Sequence, residues 1–126
     1  MKSIQKISEA ESVVMQTLWE HSPRSAEEVV AAIGNERQWQ MSTVKTLLGR
    51  LLRKDAVAVL KDGRRFLYSA TLTREQWLAS ESGGFLDRLF DGRVAPLVAH
   101  FSSHRKLSPA DLDELKALIR KLDDGK

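Results

Sequence analysis

The segment MSTVKTLLGRLLRKDAVAVLKDGRRFLYSA, residues 41–70, changes its hydrophobic period halfway and so predicts a helix followed by a β-hairpin. Up to residue 53, apolar side chains recur at helical spacing and project onto one arc of roughly 140°. From residue 56, the runs AVAVL and FLYSA flank KDGRR, which is typical of two strands joined at an Asp-Gly turn. The residues on the apolar arc, which we expect to face the core, are Val44, Leu47, Leu48, Leu51 and Leu52.

The opposite arc of this helix carries hydroxyl groups and cations but no acid. A solvated helix face normally mixes both signs, so the pattern is unusual. Residues 42–65 hold seven cations against two anions, whereas the whole chain of 126 residues has a net charge of only +3. A basic segment in a near-neutral chain favours contact with a polyanion, although surface solvation alone would also produce it.

Two capping boxes predict two helices ahead of this segment. Ser8 stands three residues before Glu11, and Ser25 stands three residues before Glu28. In this arrangement each side chain satisfies a backbone N–H that the first helical turn leaves without a partner. With apolar residues following at helical spacing, we expect the first helix over about residues 8–21.

The second helix is expected to end at Gly34, where the polar connection GNERQWQM begins. This connection leaves room for only a brief strand near Trp39. Either Ser42 or Thr43 is predicted to cap the third helix, because hydroxyl side chains are preferred at that position.

Three helices followed by a two-stranded hairpin is the order of a winged helix-turn-helix module, whose third helix reads DNA and whose hairpin is the wing. We therefore predict a mainly α fold with a small β-hairpin, comprising a winged-helix DNA-binding domain over residues 1–72 and a helical dimerisation domain over residues 73–126. Arginine pairs with guanine in the major groove, lysine and hydroxyl groups serve phosphates or single base acceptors, and basic arms hold the backbone or the minor groove. The residues expected to contact DNA are Ser42, Thr43, Lys45, Thr46, Arg50, Arg53, Lys61, Arg64 and Arg65.

Some of these residues have equally simple alternative roles. N-capping would explain Thr43 as well as a base contact does. For Arg53 and its neighbour Lys54, a solvated or phosphate-bound role is favoured over base reading. A basic hairpin tip without any target is the alternative for the wing cations.

The residues after the wing again show helical periodicity. Thr73 with Gln76 starts a helix, which Gly83-Gly84 is expected to interrupt or end. A second apolar stripe stops at Asp91-Gly92, and the last helix begins at Ser108-Pro109.

One or two short helices cannot bury such apolar stripes by themselves, so a second copy of the chain is the expected acceptor. The alternative is that these helices fold back on their own winged module. The residues expected to form the dimer interface are Phe85, Leu86, Leu89, Phe90, Leu97, Val98, Phe101, Leu112, Leu115, Leu118 and Ile119.

Several classes of protein are excluded by composition and spacing. The chain has no cysteine, so disulfides and thiolate metal sites are absent. No apolar run approaches the roughly 20 residues that span a bilayer, and the N-terminus is unlike a signal peptide, so a cytoplasmic protein without membrane insertion is expected. His21, His100 and His104 lack further metal ligands, and no nucleophile elbow or phosphate loop is present. We therefore expect no enzyme, no metal and no cofactor.

Four segments of the sequence together resemble the penicillinase repressor (BlaI/MecI) family. They are ISEAESVVMQTLWEHSPRSAEEVVAAI from residue 7, STVKTLLGRLLRKDAVAVLKDGRRFLYSA from residue 42, FLDRLFDGRVAPLVAHF from residue 85 and LSPADLDELKALI from residue 107. The resemblance covers nearly the whole chain and implies a dimeric winged-helix repressor that sits on a dyad operator. It further implies control of genes for β-lactamase, penicillin-binding protein or related functions, and hence a part in antibiotic resistance.

In that family, a membrane-bound sensor protease that detects β-lactam triggers cleavage of an Asn-Phe bond in the dimerisation region. The matching pair here is His100-Phe101, in which Phe is retained and Asn is not. The resemblance thus makes this pair the candidate bond for proteolytic release and a sensor protease a candidate partner. A buried aromatic in the dimer core is the alternative role for Phe101. The competing function for the whole chain is a winged-helix protein-interaction module that binds an acidic partner surface.

Overall fold

The structure is a computed structural model that describes residues 5–34, 37–104 and 107–125. It is mainly helical with a small three-stranded antiparallel sheet, which confirms the predicted fold class. The elements in chain order are α1 (Glu9–Glu20), β1 (Arg24–Ser25), α2 (Ala26–Ile33), α3 (Met41–Arg53), β2 (Val57–Asp62), β3 (Arg65–Ala70), α4 (Arg74–Phe90), α5 (Val94–His104) and α6 (Pro109–Asp124).

The chain divides into two compact units, Met1–Ser80 and Glu81–Lys126. The division falls inside α4, whereas the boundary expected from the sequence lies after residue 72. That domain boundary stays a prediction, and the two units are described separately below.

Both predicted capping boxes are present. The Ser8 hydroxyl accepts from the Glu11 backbone N–H at 3.1 Å, and Glu11 Oε1 accepts from the Ser8 N–H at 2.9 Å. At α2 the corresponding distances between Ser25 and Glu28 are 3.2 and 2.8 Å. As predicted, α2 is closed by Gly34, whose φ of 77° is in the left-handed region that favours glycine.

Helix α3 begins earlier than its hydroxyl residues suggest. Its N-cap is Gln40, whose side chain makes no cap hydrogen bond in the described part of the chain, so the prediction that Ser42 or Thr43 caps the helix is wrong. The half-buried Met41 packs against the core and brings the chain into the helix at that point. The two hydroxyl residues therefore lie in the first turn, exposed to solvent.

The core of the first unit lies among α1, α2 and α3. As predicted, Leu47, Leu48 and Leu51 are buried on one face of α3, as is Val44. The fifth residue of the arc, Leu52, is half-buried and packs against this cluster. The buried hydrophobic residues are Ile7, Val14, Met15, Leu18, Ala26, Val29, Val44, Leu47, Leu48, Leu51, Ala56, Val57 and Leu72.

The predicted hairpin is formed by β2 and β3, in register from Val57↔Ala70 to Asp62↔Arg65. That register leaves a two-residue turn, Gly63 and Arg64, and the φ of 63° at Gly63 explains the glycine. A third strand was not predicted: β1 pairs with β3 and gives the order β1-β3-β2. In residues 37–40, which the structure describes, the connection before α3 forms no strand near Trp39.

An indole pair lies where the first unit ends. Trp19 Nε1 donates to the Leu72 carbonyl at 2.8 Å, just after the wing. The ring of Trp19 also lies 5.4 Å from that of Trp77 on α4, centroid to centroid. These contacts fasten α1 to the chain that leaves the wing.

Helix α4 starts as predicted, because the Thr73 hydroxyl accepts from the Gln76 N–H at 3.0 Å and Gln76 Oε1 accepts from the Thr73 N–H. The prediction that Gly83-Gly84 interrupts or ends this helix is wrong, since it runs unbroken to Phe90. Glycine weakens a helix interior by about 1 kcal/mol but leaves its N–H free to bond, unlike proline. The helix stops at Asp91-Gly92, where both residues have positive φ.

The second unit exposes much apolar surface. As predicted, the Ser108 hydroxyl caps α6 and Pro109 occupies its first turn. In the described helices α4, α5 and α6, no residue is fully buried. None of the helices in the described ranges is long and apolar enough to cross a membrane.

Candidate nucleic-acid interface

One face of α3 gathers the cations and hydroxyls predicted to contact DNA. Helical spacing sets them on the side away from the buried leucines, and all six side chains are exposed. Gly49 lies among them and is half-buried. The six residues are Ser42, Thr43, Lys45, Thr46, Arg50 and Arg53.

The three predicted wing cations are also exposed, and they lie at the tip of the hairpin. Arg64 is in the turn, while Lys61 and Arg65 belong to the two strands.

Lys61 is the cross-strand partner of Phe66, an aromatic side chain that is 52% exposed. Phe66 lies beside the wing cations and is a further candidate contact that was not predicted from the sequence. The alternation in FLYSA, which sets it on the same strand face as Tyr68, could have identified it.

A cleft of about 350 Å³ joins the wing to the helices of the first unit. Lys45 of α3 and Arg64 and Arg65 of the wing all line this cleft, so the fold brings these three predicted residues together. The remaining predicted DNA contacts do not line it. The rest of its wall comes from Met41, from Phe66 and Tyr68 of β3, and from residues 25–28 at the start of α2.

Glu28, at the start of α2, is an acid within this basic region. Its Oε1 lies 3.9 Å from Arg65 Nη2. Hydrogen bonds from the backbone N–H and the hydroxyl of Ser25, together with the charges of Arg65 and Arg24, hold the pKa of Glu28 below its usual value. The carboxylate is therefore charged at neutral pH. Its capping role was predictable from the sequence, whereas its contact with the wing was not.

Lys54, at the end of α3, has a structural partner instead of the solvated or phosphate-bound role expected for it. Its Nζ donates to Glu11 Oε1 at 2.5 Å and to the Lys6 carbonyl at 2.9 Å. Burial acts to raise the pKa of Glu11, but the Lys54 ammonium and the Ser8 hydrogen bonds outweigh it and hold that pKa below its usual value. The pair ties the end of α3 to the start of α1.

The apolar residues predicted for a dimer interface are all at least partly accessible in the single chain. Phe85, Leu89, Leu112, Leu118 and Ile119 are exposed, and the other six are half-buried. A cavity along α6 is lined in part by Leu115 and Leu118.

The candidate release bond, His100-Phe101, lies inside the helix α5. His100 is exposed and Phe101 is half-buried. The His100 ring lies 6.2 Å from that of Phe90 and 4.4 Å from that of His104, so it is part of an aromatic cluster within the second unit.

A basic, acid-free recognition helix beside a basic wing defines the class of the protein, a DNA-binding winged-helix transcriptional regulator. Residues 7–121 match the family described as "Penicillinase repressor". The chain belongs to this family, which confirms the resemblance seen in the sequence. Because the family is one of transcriptional repressors, membership also confirms that the chain is not an enzyme.

Relatives of known name match over nearly the whole chain. The penicillinase repressor of Bacillus licheniformis is 32% identical over 119 residues, which cover 94% of this chain and 93% of the relative. The methicillin resistance regulatory protein MecI of Mammaliicoccus sciuri is 28% identical over 116 residues, covering 92% of this chain and 94% of that protein.

Two solved structures of BlaI match a little over half of the chain. The solution structure of the DNA-binding domain of the repressor BlaI is 36% identical, with a TM-score of 0.53, and the match covers 60% of this chain and 93% of that one. The Bacillus licheniformis BlaI monomer in complex with the blaP half-operator is also 36% identical over the same shares of the two chains, with a TM-score of 0.51.

Proposed function

We propose that the chain is a cytoplasmic, homodimeric transcriptional repressor that binds an inverted-repeat operator through α3 and the wing. The observation that carries this proposal is the acid-free polar face of α3, with Lys45 meeting Arg64 and Arg65 at one cleft. Such a surface matches the phosphates and the guanine acceptors of duplex DNA. The similarity to BlaI, whose structure with a half-operator is known, supports the same use of the module.

Family membership suggests the class of genes under control. The relatives are named as a penicillinase repressor and as a methicillin resistance regulator. We infer that this repressor controls genes for β-lactamase, penicillin-binding protein or related functions and is released by a signal.

Release by a membrane-bound sensor protease is the route that the family suggests, with His100-Phe101 as the bond. This bond lies within a helix, whereas proteases prefer exposed, irregular backbone. Cleavage here would therefore require part of α5 to unfold first. Incubating the repressor with such a protease and sequencing the fragments by mass spectrometry tests this route, and cleavage elsewhere would contradict it.

The accessible apolar side chains of the second unit support the homodimer. In α6, Leu118 is 53% exposed and Ile119 is 59% exposed, and leaving such groups in water is unfavourable. A two-fold operator would then match a two-fold protein, with one winged module on each half-site.

The proposal is tested by titrating the protein against a short inverted-repeat duplex and a scrambled duplex at two salt concentrations. We expect the inverted-repeat duplex to be bound more tightly than the scrambled duplex, with two chains per duplex. If the dimer neutralises about eight phosphates, a plot of the logarithm of affinity against the logarithm of salt concentration should have a slope of about −7. Equal, feeble and salt-insensitive binding of both duplexes would reject the repressor and favour the module that binds an acidic protein surface.

A further inference from the structure

We propose that Glu28 is an intramolecular competitor of DNA for Arg65 of the wing. In the free chain the Arg65 guanidinium lies at ion-pair distance, 3.9 Å, from the Glu28 carboxylate, and a DNA backbone phosphate would compete with this carboxylate for it. The inference rests on the function proposed above, because it assumes that the wing contacts duplex DNA.

Sheet pairing brings the two side chains together. Strand β1 pairs with β3 at Arg24↔Tyr68 and Ser25↔Leu67, and it leads directly into α2. The first turn of α2 is thereby held beside the start of β3, with Arg65 Nη2 3.9 Å from Glu28 Oε1. Both side chains line the cleft between the wing and α3. A phosphate that reaches the basic residues of this cleft therefore meets Arg65 beside the charge of Glu28.

The capping box holds the Glu28 carboxylate in place. Its Oε1 accepts the Ser25 N–H at 2.8 Å, so the side chain has given up most of its rotational freedom before it meets Arg65. A fixed anion competes better for a guanidinium than a freely rotating one does. Glu27 provides the contrast, because it lines the same cleft and is exposed but forms no ion pair with any residue that the structure describes.

The size of the effect is bounded by solvent exposure. The Arg65 side chain is 61% exposed and that of Glu28 is 49% exposed. Exposed ion pairs of this kind shift an equilibrium by up to about fivefold. Glu28 therefore adjusts the affinity of the wing for DNA without abolishing binding.

The decisive variant is Glu28→Gln, because glutamine at this position keeps the capping box and removes only the charge. We would measure binding of a short fluorescein-labelled duplex of arbitrary sequence by anisotropy, at about 50 and 200 mM potassium chloride. Glu28→Gln should bind the duplex more tightly than the parent chain does, by about two- to fivefold for each wing that contacts it. Glu27→Gln, which removes the same charge from the same cleft, should not.

A double-mutant cycle separates competition for Arg65 from a general loss of negative charge. In the Arg65→Gln background, Glu28→Gln should produce no further gain, because the guanidinium for which it competes has gone. An equal gain in both backgrounds, or an equal gain from Glu27→Gln, would overturn the proposal. Thermal melting followed by circular dichroism checks that each variant keeps the fold of the parent.

The same titration distinguishes failure of the competitor role of Glu28 from failure of the proposed function. If the parent chain binds the duplex with the expected salt dependence and the cycle is additive, only the competitor role of Glu28 fails. If the parent chain does not bind duplex DNA at either salt concentration, the proposed function fails and the competitor role fails with it.

Discussion

The ion pair between Lys54 and Glu11 gives a test of stability at the scale of single residues. The Glu11 side chain is only 2% exposed, so its removal would leave an ammonium group without its buried counter-charge. We expect Glu11→Gln to lower the free energy of unfolding at pH 7 by about 1–3 kcal/mol, measured by urea denaturation. Glu9→Gln is the matched control, since Glu9 lies exposed in the same helical turn.

The lowered pKa of Glu11 also predicts how the free energy of unfolding depends on pH. A folded-state pKa below the ordinary value of 4.5 means that the stabilisation is fully present above that ordinary value and is lost as pH falls through the folded pKa. The parent chain should therefore lose its advantage over Glu11→Gln in acid, below about pH 4. A stability difference between the two that stays constant down to acid pH would contradict this account.

Arg50, on the exposed face of α3, is the residue for which base reading and phosphate binding can be told apart. If it reads a guanine, Arg50→Ala should weaken binding of the correct operator by about 1–3 kcal/mol and relax specificity at that position. If it binds phosphate, the operator and a scrambled duplex should be weakened equally. Anisotropy titrations of both duplexes supply the measurement, with the scrambled duplex as the internal control.

Among the elements, the glycines of α4 and of the turn that follows it should respond oppositely to alanine. An added Cβ at Gly84 meets no atom within 4 Å, and Ser80 and Arg88, one helical turn away on either side, are exposed. Gly84→Ala should therefore raise the free energy of unfolding by about 0.5–1 kcal/mol.

Gly92→Ala is the contrasting variant. Gly92 has a φ of 74°, and a Cβ there would lie 3.0 Å from Asp87 Oδ1. We expect a loss of about 1 kcal/mol, because the left-handed conformation is unfavourable for alanine. Urea denaturation of the two variants provides the comparison, and a change of the same sign in both would contradict the assigned backbone conformations.

The elements that could be predicted are those whose signals lie within a few residues of one another. The capping boxes at Ser8 and Ser25 each depend on a partner three positions away. Strand β1 could not be predicted, because its two residues owe their conformation to pairing with β3, more than forty positions further along the chain. The contact between Glu28 and Arg65 depends on that same pairing, so this part of the candidate site was not predictable either. The start of α3 was misplaced because the packing of Met41, and not a hydroxyl cap, determines it.

For the whole molecule, the proposed homodimer predicts that α6 is sensitive to charge on one face only. Leu118→Glu places a carboxylate on the exposed apolar face and should convert the dimer to a monomer. Lys116→Glu introduces the same side chain about 200° away around the helix axis and should leave the dimer intact. Size-exclusion chromatography with light scattering measures both masses, and a dimer that survives Leu118→Glu would reject the assigned interface.

The positions of the aromatic residues decide what can be observed of each unit in solution. All three tryptophans and the single tyrosine lie within Met1–Ser80, two of them in the Trp19–Trp77 pair. Intrinsic fluorescence therefore follows unfolding of the first unit alone, whereas far-UV circular dichroism sums the helices of both. Unfolding curves from the two signals would coincide if the units unfold cooperatively, and a second circular-dichroism transition without any change in emission would belong to α5 and α6.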